Sequence, residues 1–279
     1  MTPLEELNFL LTNRIPRRTL TLWMGWISKL RHPLIRVPSI ALWRLFCDVD
    51  LSDAARSRFA SLHDAFTREL RPGARSIDPD PRVLTSPCDG IVMASGVISD
   101  GTLLQAKGLT YSLADLLADE RLASRHEGSR YITLRLTAGM YHRFHSPADC
   151  HISKVTYISG DTWNVNPPAL QRVERLYCRN ERAVIEAQVA ASATDMLLIP
   201  VAAVLVASIR LHFADVLLHI RYRGPNVIDC DATLEKGQEL GWFEHGSTLI
   251  LVLPAGCALA DGLRVGTGVR MGQALGHLP

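Results

Sequence analysis

Ser247 stands between Gly246 and Thr248, directly ahead of the apolar run at 249–253. A serine so placed can attack its own backbone. Addition of Oγ to the Gly246 carbonyl exchanges the peptide bond for an ester, and elimination across that ester leaves a downstream chain headed by a pyruvoyl group. Glycine ahead of the serine lets the backbone bend toward the nucleophile. A Gly-Ser pair alone is weak evidence, and Gly128-Ser129 is a second one. Two other segments strengthen the case. Ser86-Pro87-Cys88-Asp89-Gly90 presents an acid in a turn, and Tyr141-His142-Arg143-Phe144-His145-Ser146-Pro147 presents two imidazoles. Asp, His and Ser are the parts of a base-activated nucleophile, in which the carboxylate orients the imidazole and the imidazole takes the hydroxyl proton.

Spacing says where these groups sit. Asp89 follows Pro87 and precedes Gly90, a turn that leads into a strand at Ile91-Val92-Met93. His142 and His145 are three apart, an odd spacing that a straight strand would divide between its two faces; serving one site together requires an irregular stretch. Three other chemistries use the same residues. A Ser-His-Asp hydrolase would keep one uncut chain, but no G-x-S-x-G elbow is present and Ser247 precedes a strand. His142, His145, Cys150 and His151 have a spacing that can hold zinc, without the helix of an H-E-x-x-H site; no metal is expected. A membrane-binding protein without catalysis is the third.

The elements that must position these residues fall into two regions. The chain has 279 residues, 47% of them hydrophobic, and a net charge of +2, enough for a sizeable core and without the basic excess of a nucleic-acid binder. Its six cysteines are scattered with no CxxC pair, the pattern of reduced thiols. Residues 1–45 carry seven basic side chains against Glu5 and Glu6, and three of the five tryptophans. Leu20, Trp23, Met24, Ile27 and Leu30 follow helical spacing. The uncharged stretch at 19–28 is too short for the roughly 20 residues of a membrane span, so the segment reads as an amphipathic helix lying in an anionic membrane surface. No secretory signal is read, and a chain that is not secreted is expected.

A second helix is expected over 52–70, stopped by Arg71-Pro72-Gly73, and a short one over 113–122. From about Val83 the pattern is strand-like, with candidates at 132–136, 216–222 and 248–253. The result is an α+β chain with a helical N-terminal layer and a β-rich body.

The three motif segments resemble the SPxDG, YHRxHxP and GST motifs of the bacterial, pyruvoyl-dependent phosphatidylserine decarboxylase proenzymes. The resemblance extends to Val165-Asn166-Pro167, to Asn180-Glu181-Arg182 and to KGQELGWF at 236–243, covering nearly the whole chain in order. It implies a mainly antiparallel, sandwich-like α+β catalytic body over 76–279 and a helical, membrane-associating region over 1–75. It implies self-cleavage between Gly246 and Ser247 into a β chain of 1–246 and an α chain of 247–279. Asp89 and His145 would activate Ser247, which becomes the covalent pyruvoyl cofactor and Schiff-base site, and His142 would serve decarboxylation and reprotonation. The implied substrate is phosphatidylserine, decarboxylated to phosphatidylethanolamine in phospholipid biosynthesis. The implied partners are an anionic membrane surface and the chain's own two fragments, as a heterodimer or a homodimer of heterodimers, with no nucleic acid. The implied place is peripheral, on the cytoplasmic face of the bacterial inner membrane. Arg143 and the basic N-terminal side chains are candidate phosphate partners. His245 stands where leucine is common, Cys150 where glycine often is, and alanines replace glycines at 202–207.

Overall fold

The computed structural model describes Glu6 and residues 16–106, 108–204, 208–244 and 247–279. Its centre is an eight-stranded antiparallel sheet, in the order β12 (Val227–Leu234), β7 (Cys150–Ile158), β8 (Arg182–Val189), β9 (Thr194–Val201), β14 (Ser247–Val252), β5 (Arg130–Leu136), β2 (Gly90–Val97) and β16 (Gly268–Val269). The run STLILV forms β14, hydrogen-bonded on both edges and buried along its whole length. A strand covered on both faces needs such a run.

One face of the sheet carries Leu134, Leu136, Leu198, Leu249 and Leu251. A four-stranded sheet covers it, ordered β11 (Val216–His219), β10 (Ser208–Leu211), β13 (Glu239–Phe243) and β6 (Arg143–His145). A three-stranded sheet of β1 (Val83–Thr85), β17 (Ala274–His277) and β15 (Ala258–Leu259) joins the same core. The other face carries Leu197, Ile199, Ile250 and Val252. Against it pack the hairpin of β3 (Thr102–Ala106) and β4 (Leu109–Ser112) and several short helices, so the body is the expected antiparallel sandwich-like α+β fold.

The N-terminal layer holds α1 (Arg17–Ile27), α2 (Pro33–Phe46) and α3 (Leu62–Phe66). The sequence periodicity anticipates α1 but not α2. The helix expected over 52–70 reduces to α3. Ser61 caps its start by accepting from Asp64 N, and residues on either side pair in extended form through Ala55 N to Glu69 O and Arg71 N to Asp53 O. The expected helix at 113–122 is two, α4 (Leu113–Leu117) and α5 (Glu120–Arg125), broken where Ala118 turns left-handed. No helix among the described residues is long and apolar enough to cross a membrane. Trp26, Leu34 and Leu45 are 59%, 80% and 75% exposed, an apolar surface on the outside of α1 and α2.

The Asn180-Glu181-Arg182 segment braces the body. Asn180 Nδ2 donates to Trp163 O and Ala202 O, and its Oδ1 accepts from Trp163 N, tying the 162–166 loop to the end of β9. Arg182, buried, donates to the carbonyls of Leu116, Asp115, Cys178 and Asn180. Glu181 accepts from the Tyr157 hydroxyl, and burial pushes its carboxyl up to about 7 from an ordinary 4.5. The folded chain therefore keeps a proton there that the unfolded chain has lost, so this group's contribution to stability falls as pH rises between those values. Glu181→Gln is expected to melt higher than the native protein at pH 8, by the equivalent of about 1–3 kcal/mol, with the gap closing toward pH 5; thermal melts at both pH values check this.

Candidate functional site

The acid turn and the histidine segment are joined by backbone. His145 N donates to Pro87 O at 2.8 Å and Thr85 N to Pro147 O at 2.9 Å, so residues 85–89 run beside β6. Asp89 is gripped there by Arg75, whose Nε and Nη2 donate to its two oxygens at 3.0 and 2.5 Å, while Met271 N donates to Oδ1 at 2.9 Å. Arg75 also donates to Asp53 at 2.7 Å, and these carboxylates raise its pKa.

His145 closes β6, and His142 lies in the irregular stretch before it, so the odd spacing is met by leaving the strand. His145 Nδ1 donates to Gly237 O at 2.9 Å, which leaves Nε2 to accept from the Tyr141 hydroxyl, also at 2.9 Å. Gly237 has φ +79°, a left-handed position that suits glycine. Burial, the largest cause, lowers the pKa of His145; the Gly237 carbonyl and the charges of Glu239 and Asp89 oppose it, and Arg143 adds to it. The lowered pKa favours the neutral ring, whose acceptor nitrogen Nε2 is engaged by the Tyr141 hydroxyl. His142 is fully buried, its Nδ1 donates to Met140 O at 2.8 Å, and its ring lies 3.9 Å from that of Phe66.

Ser247 opens β14, register partner to Leu136, with 0% exposure. Its Oγ has no hydrogen-bond partner among the described residues. A buried hydroxyl without a partner costs about 1–3 kcal/mol, and the neighbouring Thr248 hydroxyl is in the same position. The chain just ahead of it is anchored to the histidine segment, since Phe243 N donates to His142 O at 3.0 Å. Glu244, buried, forms an ion pair with Lys29 at 3.0 Å, beyond the end of α1. Gly241 lets β13 close on β10, because a Cβ there would meet Arg210 O at 1.8 Å. His245 and Gly246 lie outside the described residues, as do Val206 and Ala207.

The three groups of the expected triad are not hydrogen-bonded to one another: Asp89 is held by Arg75, His145 by Gly237 and Tyr141, and Ser247 Oγ has no partner among the described residues. Arg143, a candidate phosphate partner, is instead taken up by Glu239, Thr67 O and Glu69. The zinc spacing does not gather into a site. Cys150 meets Ser146 Oγ, His151 meets Asp231, and among the described residues no group of three His, Cys, Asp or Glu side chains is placed to hold a metal.

Beside these groups lies a cavity of about 790 Å³. Met24 and Ile27 of α1, Leu42, Trp43 and Phe46 of α2, and Leu62 and Phe66 of α3 wall one side, and residues 135–138, 164–166 and 203–204 the other. Phe66 touches His142, and Leu136 is the partner of Ser247, so the cavity adjoins both residues although neither lines it. Trp43 Nε1 donates to Ala138 O, fastening the helical layer over this space.

A model of the phosphatidylserine decarboxylase family matches residues 62–277. The chain belongs to that family. It is therefore a member of a family of decarboxylases, and close relatives carry the name phosphatidylserine decarboxylase proenzyme. The one from Brevibacillus brevis is 36% identical over 273 residues, covering 95% of each chain. That from Haemophilus influenzae is 36% identical, covering 94% of this chain and 93% of the relative. That from Anaeromyxobacter sp. is 35% identical, covering 94% and 95%. The family's motifs pointed to Asp89, His142, His145 and Ser247 but not to Arg75, Phe66 or Arg135. Only Arg135 had a sequence signal, a lone charge in the alternating strand ITLRL. Arg75→Met leaves Asp89 without its counter-ion and is expected to cost about 3 kcal/mol in urea unfolding, with Arg75→Lys losing less.

Proposed function

We propose that this chain is a phosphatidylserine decarboxylase that matures by cutting itself between Gly246 and Ser247. The observation that carries the reading is the Ser247 hydroxyl, fully buried, without a partner among the described residues, at the start of the central strand. Ser247 Oγ adds to the Gly246 carbonyl and the Ser247 nitrogen leaves as an amine, giving an ester. Loss of the Ser247 Cα proton expels the Gly246 carboxylate and leaves a dehydroalanine. Water then replaces the nitrogen, released as ammonia, and the new chain begins with a pyruvoyl ketone. His145 is the proton acceptor for the attack, its Nε2 exchanging the Tyr141 hydroxyl for the Ser247 proton, and Asp89 acts on it through its charge.

The residues fit the group. Ser247 would hold it covalently, at a fully buried position whose strand partner Leu136 lines the cavity together with Phe66. When present it supplies a ketone for the substrate amine and an electron sink for the charge left at Cα as CO₂ departs. His142 is the acid that returns a proton to that carbon, and its Nδ1 bond to Met140 O orients the ring. The apolar helical walls receive the acyl chains. Purified protein given phosphatidylserine in mixed micelles is expected to release CO₂ and form phosphatidylethanolamine. Ser247→Ala, with an unchanged melt, is expected to do neither; equal activity in that variant would overturn the reading.

Residues 1–75 form the membrane-associating region of this reading and 76–279 the catalytic body, the protein lying peripherally on an anionic, cytoplasmic membrane face. The outward apolar side chains of α1 and α2, beside the basic residues of the same helices, support this seat. Deleting the first 45 residues would also remove Trp43 from the core. A cleaner test combines Trp26→Gln, Leu34→Gln and Leu45→Gln. Flotation with phosphatidylserine-containing liposomes is expected to fall more than about tenfold, while the melting temperature holds.

A further inference from the structure

Arg135 lies one residue before Leu136 on β5, pairs with Thr248, and lines the cavity. Alternate side chains leave a strand on opposite faces, so the guanidinium projects from the face opposite Ser247. It is the one charged side chain among the described residues of the cavity wall. No hydrogen bond or ion pair engages it among the described residues. Other enclosed arginines have partners: Arg17 with Asp161, Arg75 with Asp89, Arg143 with Glu239, Arg182 with four carbonyls, and Arg68, without an ion pair among the described residues, through Nη2 alone with the carbonyls of Asp50 and Gly139. Burial pulls the pKa of Arg135 down, with only the Tyr177 hydroxyl opposing. A half-buried cation with no counter-ion is costly unless an anion arrives to pair with it.

We propose that Arg135 is the headgroup-binding residue of the cavity and takes the phosphodiester shared by phosphatidylserine and phosphatidylethanolamine. The proposal rests on the reading of this cavity as the lipid site. The substrate has two anions, and the chemistry separates them. A guanidinium on the carboxylate would stabilise it more before CO₂ loss than during it, as the charge moves toward Cα, and so would raise the barrier. The phosphodiester keeps its charge throughout and matches the planar fork of arginine. Arg135 then contributes uniform binding, visible in KM rather than kcat. The polar Asn164 and Asn166, on the same wall, make this the hydrophilic end of a largely apolar space.

The test is calorimetric binding to the uncut Ser247→Ala chain, in which neither maturation nor turnover takes part. The probes are dihexanoyl phosphatidylserine, dihexanoyl phosphatidylethanolamine and dihexanoylglycerol, which has no phosphate. Adding Arg135→Gln is expected to weaken both phospholipids about 10- to 100-fold and leave the glyceride unchanged, with Arg135→Lys intermediate. If Arg135→Gln does not fold, Arg135→Lys carries the comparison, since it keeps the charge and loses the fork. Unchanged phospholipid binding in the variants overturns the proposal. A loss confined to phosphatidylserine also overturns it, by placing Arg135 on the carboxylate. If none of the three probes binds even with Arg135 intact, the cavity reading fails and the assignment with it. Intact mass of Arg135→Gln in the otherwise native chain reports self-cleavage separately.

Discussion

The site depends on a strand that cannot move. β14 is paired with β5 on one edge and β9 on the other, and all six of its residues are buried. Its first residue is therefore held at the end of an interior strand, while the chain ahead is drawn by Phe243 toward His142. In the proposed self-cleavage, a nucleophile reaching the carbonyl of its own preceding residue has little freedom to search, so the scaffold would have to supply the geometry. Burial keeps the Ser247 hydroxyl from solvent and favours a neutral His145 imidazole. In the uncut chain Ser247 is sealed from the cavity. The proposed cut would free a chain end next to Leu136, which does line it.

The helical layer builds the second half of the site. Trp43 and Phe66 share a small core with Ala54, Phe59 and Ala65, and Trp43 hydrogen-bonds to Ala138 on the body. Arg68 donates to Gly139 O nearby, and a Cβ on Gly139 would lie 2.1 Å from Cys47 O, so layer and body meet closely at this point. One side of α1 and α2 therefore roofs the cavity while the other carries exposed tryptophan and leucine. The Glu244–Lys29 ion pair links the same layer to the segment leading to Ser247.

Much of this was legible in the sequence, for reasons that differ by residue. The run STLILV permits little but a doubly covered strand, and the alternation of ITLRL gave β5. The spacing of His142 and His145 required an irregular stretch, and the chain supplies one before β6. The apolar periodicity at 52–70 misled, because capping by Ser61 and pairing of 53–55 with 69–71 outweighed helical spacing. Partners distant in sequence had no local signal. Arg75 meets Asp89 only because the loop before β1 folds back, and Gly237 reaches His145 across 92 positions. The expected Asp-His-Ser chain of hydrogen bonds is absent for the same reason, since Asp89 and His145 each have a closer partner.

The most direct test of the account is the intact mass of the purified protein under denaturing conditions. It predicts two chains, 1–246 and 247–279, the shorter with no free amino terminus and lighter than the serine-headed peptide by one ammonia. A single chain of 279 residues from protein with a cooperative melt would contradict it.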